Sequence, residues 1–238
     1  MLPAPDHPIS GLPTRRSGAP ILCYVTDRKI LTTREDETDW RLVGKIRGTI
    51  GAGVDWVQVR EKDLPPQKIL ALVREIVRAT DTAKLIVNDR LDVAVAAGAA
   101  GVHLGRESAP IREVARWCRG GNAPKEFLIG ASCHTLSEAR EVEIAGGSYL
   151  VFGPIFDTPS KRAFGEPVGI AKLAQVCATV KIPVLAIGGI GLRNARECFQ
   201  AGAAGIAAIR LFQDAENLNE LKSIVASLRD DGWSGFRR

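Results

Sequence analysis

Short apolar, β-branched runs return along the chain at 21–26, 56–60, 85–88, 101–105, 127–132, 149–156, 183–188 and 205–211. Most are continuously apolar rather than alternating. Strands covered on both faces read this way, because neither face meets water. Stretches with helical spacing lie between them. Residues 66–79 place Ile69, Leu72, Val73 and Ile76 at i, i+3, i+4 and i+7. Residues 135–145 open on Thr135-Leu136-Ser137-Glu138, a capping box with Thr135 as N-cap. Helices are also predicted at 170–179, 193–200 and 215–228. Gly-Ala dipeptides before several strands read as helix ends turning back.

Eight strand–helix units in about 210 residues is the arithmetic of a closed (β/α)8 barrel. A doubly wound open sheet would show fewer units and a glycine-rich first turn, and the first strand here ends Tyr24-Val25-Thr26-Asp27 with no GxGxxG. The expected fold class is therefore α/β, a single (β/α)8 TIM barrel over 21–229. It follows an extended, flexible leader at 1–20, which holds five prolines and no apolar signal core, and precedes a tail at 230–238.

Composition narrows the function. The chain has 238 residues, 45% hydrophobic and 25% charged, which excludes disorder over most of its length. Net charge is +5, but Lys and Arg are interspersed with acids and never run to five in a row. That argues against nucleic acid and for anionic small molecules. No stretch approaches 18 uninterrupted apolar residues, so no membrane span is expected. The five cysteines form no CxxC and are odd in number, as reduced thiols of a cytoplasmic protein would be.

In such a barrel the chemistry gathers at the C-terminal strand ends. The second strand ends Gln58-Val59-Arg60-Glu61-Lys62, where residues two apart share a face. An amide beside two cations suits a diphosphate. The third ends Asn88-Asp89, read either as turn chemistry or as oxygen ligands for a hard cation. His103, inside an apolar strand, reads as a satisfied core histidine, and Cys133 as a small buried hydrophobe. His134 is either a general acid/base or a packing residue at a helix start. After the sixth strand a 13-residue stretch, 157–169, carries Thr158, Ser160 and Lys161 and reads as a phosphate-capturing loop. Gly188 and Gly189 end the seventh strand, where backbone N–H groups can approach an anion. Ile209-Arg210 end the eighth and add a cation.

These motifs resemble the thiamine phosphate synthase family and its relative, the thiazole tautomerase. The likeness spans about Ile21 to Phe212. It rests on Tyr24-Val25-Thr26-Asp27, Val57-Gln58-Val59-Arg60-Glu61-Lys62-Asp63, Val87-Asn88-Asp89-Arg90, Gly101-Val102-His103-Leu104-Gly105, Gly153-Pro154-Ile155-Phe156 with Thr158 and Lys161, and Ile187-Gly188-Gly189-Ile190. The synthase resemblance implies condensation of an aminopyrimidine methyl diphosphate with a thiazole phosphate. It implies Gln58, Arg60, Lys62, Asn88, Ser132 and Lys161 on the diphosphate. Thr158, Ser160, Gly188, Gly189, Ile209 and Arg210 would serve the thiazole phosphate end. Lys161, Ser132 and His134 would stand nearest the chemistry. Asp89 would hold Mg²⁺ with Ser108, which stands where the synthase pattern has a second Asp. Arg210 also departs from that pattern, which has a small Ser there. The tautomerase resemblance instead implies His134 moving a proton without metal, and a non-catalytic thiamine-phosphate binder is a further alternative. The intact Gln58, Arg60, Lys62, Asn88 and Asp89 favour the synthase. Homo-oligomerisation stays open.

Overall fold

The computed structural model describes residues 18–31, 35–158 and 166–235. Eight parallel strands close into a barrel: β1 (Ile21–Val25), β2 (Trp56–Val59), β3 (Lys84–Asn88), β4 (Gly101–Leu104), β5 (Leu128–Cys133), β6 (Tyr149–Phe152), β7 (Val184–Ile187) and β8 (Gly205–Ala208). Strand order follows the sequence, and β1 pairs with β8 from Ile21↔Gly205 to Tyr24↔Ala208 to seal the ring.

The strands are apolar on both faces because two cores need them. One set of side chains, including Cys23, Val25, Trp56, Ile86, Tyr149 and Leu185, fills the barrel interior. Their neighbours one residue along, including Leu22, Tyr24, Val57, Val87 and Phe152, pack outward under the helices. The interior is crowded by Trp56 and Tyr149, whose rings meet edge-on at 4.9 Å. Gly130 makes room for them: a Cβ there would lie 2.0 Å from the Tyr149 ring.

The outer layer comprises α1 (Glu35–Gly51), α2 (Pro66–Ala79), α3 (Leu91–Ala97), α4 (Ile111–Trp117), α5 (Leu136–Ala145), α6 (Gly169–Thr179), α7 (Ala195–Gln200), α8 (Arg210–Gln213) and α9 (Leu218–Gly235). Thr135 caps α5 in the predicted capping box, its hydroxyl accepting from Glu138 N–H. Four helices were not predicted. The seven-residue α3 and α4 are too short to show a period, and α1 opens on a polar run.

Two strands are shorter than the hydrophobic runs imply. The sixth run extends to Phe156, but β6 stops at Phe152, where Pro154 has no N–H for the ladder. The eighth run extends to Leu211, but β8 stops at Ala208 and Arg210 begins α8. Arg210 is thus a helical residue beyond the strand, not part of it. Most of the leader, residues 1–17, lies outside the described residues. At the other end α9 continues to Gly235, into the stretch read as a tail.

On the face opposite the strand C-termini, Arg229 donates to Pro20 O and to Gly53 O, and reaches the Asp55 carboxylate at 2.8 Å. Asp55 Oδ2 in turn accepts from Leu22 N–H at 2.7 Å. The last helix is thereby clasped to the start of the first strand.

Candidate active site

The interior alternation of β2, β3, β4 and β5 carries Gln58, Asn88, His103 and Ser132, and the register makes Asn88 and His103 direct neighbours. Their polar atoms form two hydrogen-bonded paths, the first of which starts at Gln58. Gln58 Nε2 donates to Asn88 Oδ1 at 2.8 Å, and Asn88 Nδ2 donates to Asp89 Oδ2 at 2.5 Å. Asp89 Oδ1 accepts from Gly105 N–H at 3.1 Å and from the Ser108 hydroxyl. Lys62 Nζ stands 3.8 Å from Asp89 Oδ2. Gln58 is 4% exposed, so its amide is committed to this path, while Lys62 and the edge of Asp89 meet solvent.

Asp89 is the sole described non-glycine residue with positive φ, 62°. That left-handed turn costs an L-residue about 1 kcal/mol or more, and Asp and Asn tolerate it best. Here it swings the carboxylate back over the end of β4, where Gly105 and Ser108 hold it. Ser108 therefore lies directly against Asp89.

A second path starts at Ser132. His103 Nε2 lies 2.9 Å from Ser132 Oγ and Nδ1 3.2 Å from Tyr149 Oη. His103 is a satisfied core histidine, as expected, but one that reaches the mouth through Ser132. Burial holds its imidazole down to about 4, with the Asp89 charge opposing the shift and the Arg60 charge adding to it. The two charges thus act on the same ring from the strand ends.

Arg60 is half-buried, and its backbone N–H donates to Thr26 Oγ1 at 2.9 Å. The Thr26 hydroxyl donates to Glu61 Oε1 at 2.5 Å. Glu61 is 4% exposed, and burial raises its carboxyl pKa against its hydrogen bonds with Thr26 and Arg28. Arg28 also grips Asp63 with two hydrogen bonds, at 2.6 and 3.0 Å, holding that carboxyl well below the usual carboxylate range. This latch between β1 and β2 fixes the backbone from which Arg60 and Lys62 project. A parallel tie joins β1 to α8: Gln213 Oε1 accepts from Tyr24 O–H at 2.9 Å and its Nε2 donates to Asp27 O at 2.5 Å.

The β6 and β7 ends are zipped together. Ile155 N–H donates to Ile187 O and Phe156 N–H to Gly188 O, at 2.8 and 3.0 Å. Gly188 and Gly189 have φ of 98° and 66°, and a Cβ on either would strike the 154–157 segment at 2.5 Å. Only glycine fits both demands. Asn194 braces this turn, accepting from Gly191 N–H and donating to Gly189 O. Thr158 is half-buried at the edge of the described loop, and Ser160 and Lys161 lie outside the described residues.

His134 is exposed, with Nδ1 2.5 Å from Gly153 O and its N–H on Glu138. Because a carbonyl can only accept, Nδ1 carries the proton and Nε2 is bare in the neutral ring. Cys133 points outward into the helix layer, and burial pushes its thiol up to about 12, which excludes it as a nucleophile at neutral pH. Ile209 packs on the interior cluster beneath the mouth. Arg210 is exposed and 3.7 Å from Asp214, so it shares its charge with the residue that caps the C-terminus of its own helix.

Sequence reading missed Thr26, Glu61, Gly105, Tyr149, Asn194 and Gln213. Thr26 and Glu61 stood inside quoted motifs, which was the available signal. Gly105 acts through its backbone N–H, which no side chain announces.

The model of the thiamine monophosphate synthase family matches residues 23–212. The chain is 37% identical over 207 residues to the thiamine-phosphate synthase of Halalkalibacterium halodurans, covering 86% of this chain and 96% of that one. It is 35% identical over 221 residues to the thiamine-phosphate synthase of Roseiflexus sp. strain RS-1, covering 90% and 89%. Among solved structures, thiamine phosphate pyrophosphorylase from Pyrococcus furiosus superposes with a TM-score of 0.73 at 32% identity, over 89% of this chain and 96% of that one. A barrel closed in sequence order, its polar residues joined along the strand ends and these full-length likenesses agree: the chain belongs to the thiamine-phosphate synthase family.

Proposed function

We propose that the polar path at the ends of β2, β3 and β4 is the receptor for a pyrimidine methyl diphosphate. The reaction is that of a thiamine-phosphate synthase. The C–O bond to diphosphate breaks with its electron pair leaving on oxygen, and the thiazole nitrogen lone pair forms the new C–N bond. Thiamine phosphate and pyrophosphate are the products. The observation that carries the assignment of the receptor is the unbroken chain Gln58–Asn88–Asp89 with Lys62 beside it.

Diphosphate leaves readily only when its charge is neutralised in place. Arg60 and Lys62 do this from backbone fixed by the Thr26–Glu61 latch, and the family resemblance gives Lys161 the same role. Gln58 and Asn88 orient the pyrimidine end, and Ser132 adds a hydroxyl. Thr158, Ser160, Gly188, Gly189, Ile209 and Arg210 receive the thiazole phosphate.

Among the described residues no group of three His, Cys, Asp or Glu side chains gathers around a metal position. The donors at Asp89 nevertheless fit Mg²⁺, since a carboxylate and the Ser108 hydroxyl are hard oxygens and this ion commonly takes the rest of its shell from phosphate and water. Asp89 and Ser108 would hold it, and bound there it would neutralise departing diphosphate charge. The ligands are phosphorylated small molecules. No described helix is long and apolar enough to cross a membrane, and the five buried cysteine thiols suit a reducing, cytoplasmic setting.

A pyrophosphate-release assay with both substrates tests the reading. Excess Mg²⁺ should support turnover and chelator should abolish it. Asp89→Ala and Lys161→Ala should each lower kcat by about 100-fold or more. No thiamine phosphate from folded protein with both substrates and Mg²⁺ would overturn the reaction. Chelator-resistant isomerisation of a thiazole phosphate carboxylate, lost in His134→Asn, would replace it with the tautomerase, in which the bare Nε2 of His134 is the base.

A further inference from the structure

Two hydroxyls share one imidazole at the barrel mouth. His103 Nδ1 is 3.2 Å from Tyr149 Oη, and Nε2 is 2.9 Å from Ser132 Oγ. A neutral imidazole donates from one nitrogen and accepts at the other, so two arrangements exist. In one, Tyr149 O–H donates to Nδ1 and Nε2–H donates to Ser132. In the other, Nδ1–H donates to Tyr149 and Ser132 O–H donates to Nε2.

The surroundings decide between them. Tyr149 is 2% exposed, its ring seated over Gly130 and edge-on to Trp56. Among the described residues its hydroxyl has no second hydrogen-bond partner. The second arrangement would strand the phenolic proton in the core with no acceptor, which forfeits the hydration of that group. Ser132 is exposed, so its proton always finds water or a ligand. Only the first arrangement leaves no donor stranded.

We infer that Tyr149 and His103 are positioning residues that fix the polarity of Ser132. The imidazole N–H fills a lone pair of Oγ, and the hydroxyl proton is turned toward the bound substrate. Resting on the synthase reading, the acceptor is an electron-rich atom of the pyrimidine diphosphate. Held the other way, Ser132 would present lone pairs to an anion and repel it.

Long-range ¹H–¹⁵N spectra of the full chain with labelled histidine read the tautomer directly. His103, identified by the signals lost in His103→Gln, should carry its proton on Nε2 with Nδ1 bare. A proton on Nδ1 overturns the inference. Tyr149→Phe keeps the ring and deletes the phenol donor. Its kcat should fall about tenfold, with KM for the pyrimidine diphosphate changing less than kcat. Ser132→Ala, costing about 100-fold in the wild-type background, should cost far less when Tyr149 is already Phe. Equal cost in both backgrounds overturns the inference. His103→Gln can accept from Tyr149 and donate to Ser132, so it should recover turnover lost in His103→Leu. An Nε2-protonated ring in a chain that forms no thiamine phosphate would sink the reaction and leave the polarity of Ser132 standing.

Discussion

Gly130 shows how much one missing methyl group controls. The Tyr149 ring occupies the space where a Cβ would sit, 2.0 Å away, and both residues lie in the closed interior. Gly130→Ala should destabilise the fold by about 1–3 kcal/mol, the usual penalty for overpacking. It should also pull Tyr149 off His103, so urea unfolding and kcat should both respond. Residue roles were unevenly legible. Asn88 and Asp89 were found because a polar pair closing an apolar run stands out, and Ser108 through the family resemblance alone. Their mutual contact was not, since it depends on the positive φ of Asp89. His103 was read correctly as buried, yet its bond to Ser132 is a tertiary fact with no local signature.

At the level of elements, α5 is the clearest case of local sequence dictating structure. Thr135 accepts from Glu138 N–H at 3.2 Å, and the Glu138 carboxylate accepts from Thr135 N–H and His134 N–H. Thr135→Ala should cost about 1 kcal/mol, seen as a lower urea midpoint with an unchanged slope. The strands were legible because burial on both faces makes each a solid apolar run. The same signal overran two of them, since Ile155-Phe156 and the Ile209 and Leu211 that flank exposed Arg210 carry the apolar run past the end of the ladder. The missed helices α3 and α4 have seven residues each, two turns, too few for a period to emerge.

Across the whole molecule, stability should fall in acid through His103. Its imidazole titrates near 4 in the fold, against an ordinary 6.5. The unfolded chain binds this proton more readily, so the contribution is complete above about pH 6.5 and is lost as pH falls toward 4. It amounts to about 3 kcal/mol at most. Denaturant melts of wild type and His103→Gln at pH 7 and pH 4.5 isolate it from the carboxylates. The wild-type advantage should shrink in acid, and a gap independent of pH would contradict the assignment. The +5 charge draws anions without selecting them, so selection falls to the mouth of the barrel.

The hydrogen bonds joining Ile155 to Ile187 and Phe156 to Gly188 make two connections behave as one part. Re-engineering this corner of the barrel mouth cannot swap either connection alone. A graft that carried the glycine turn without residues 153–157 would bring side chains into collision or leave amides bare. Both segments must be transplanted together, as a single cassette.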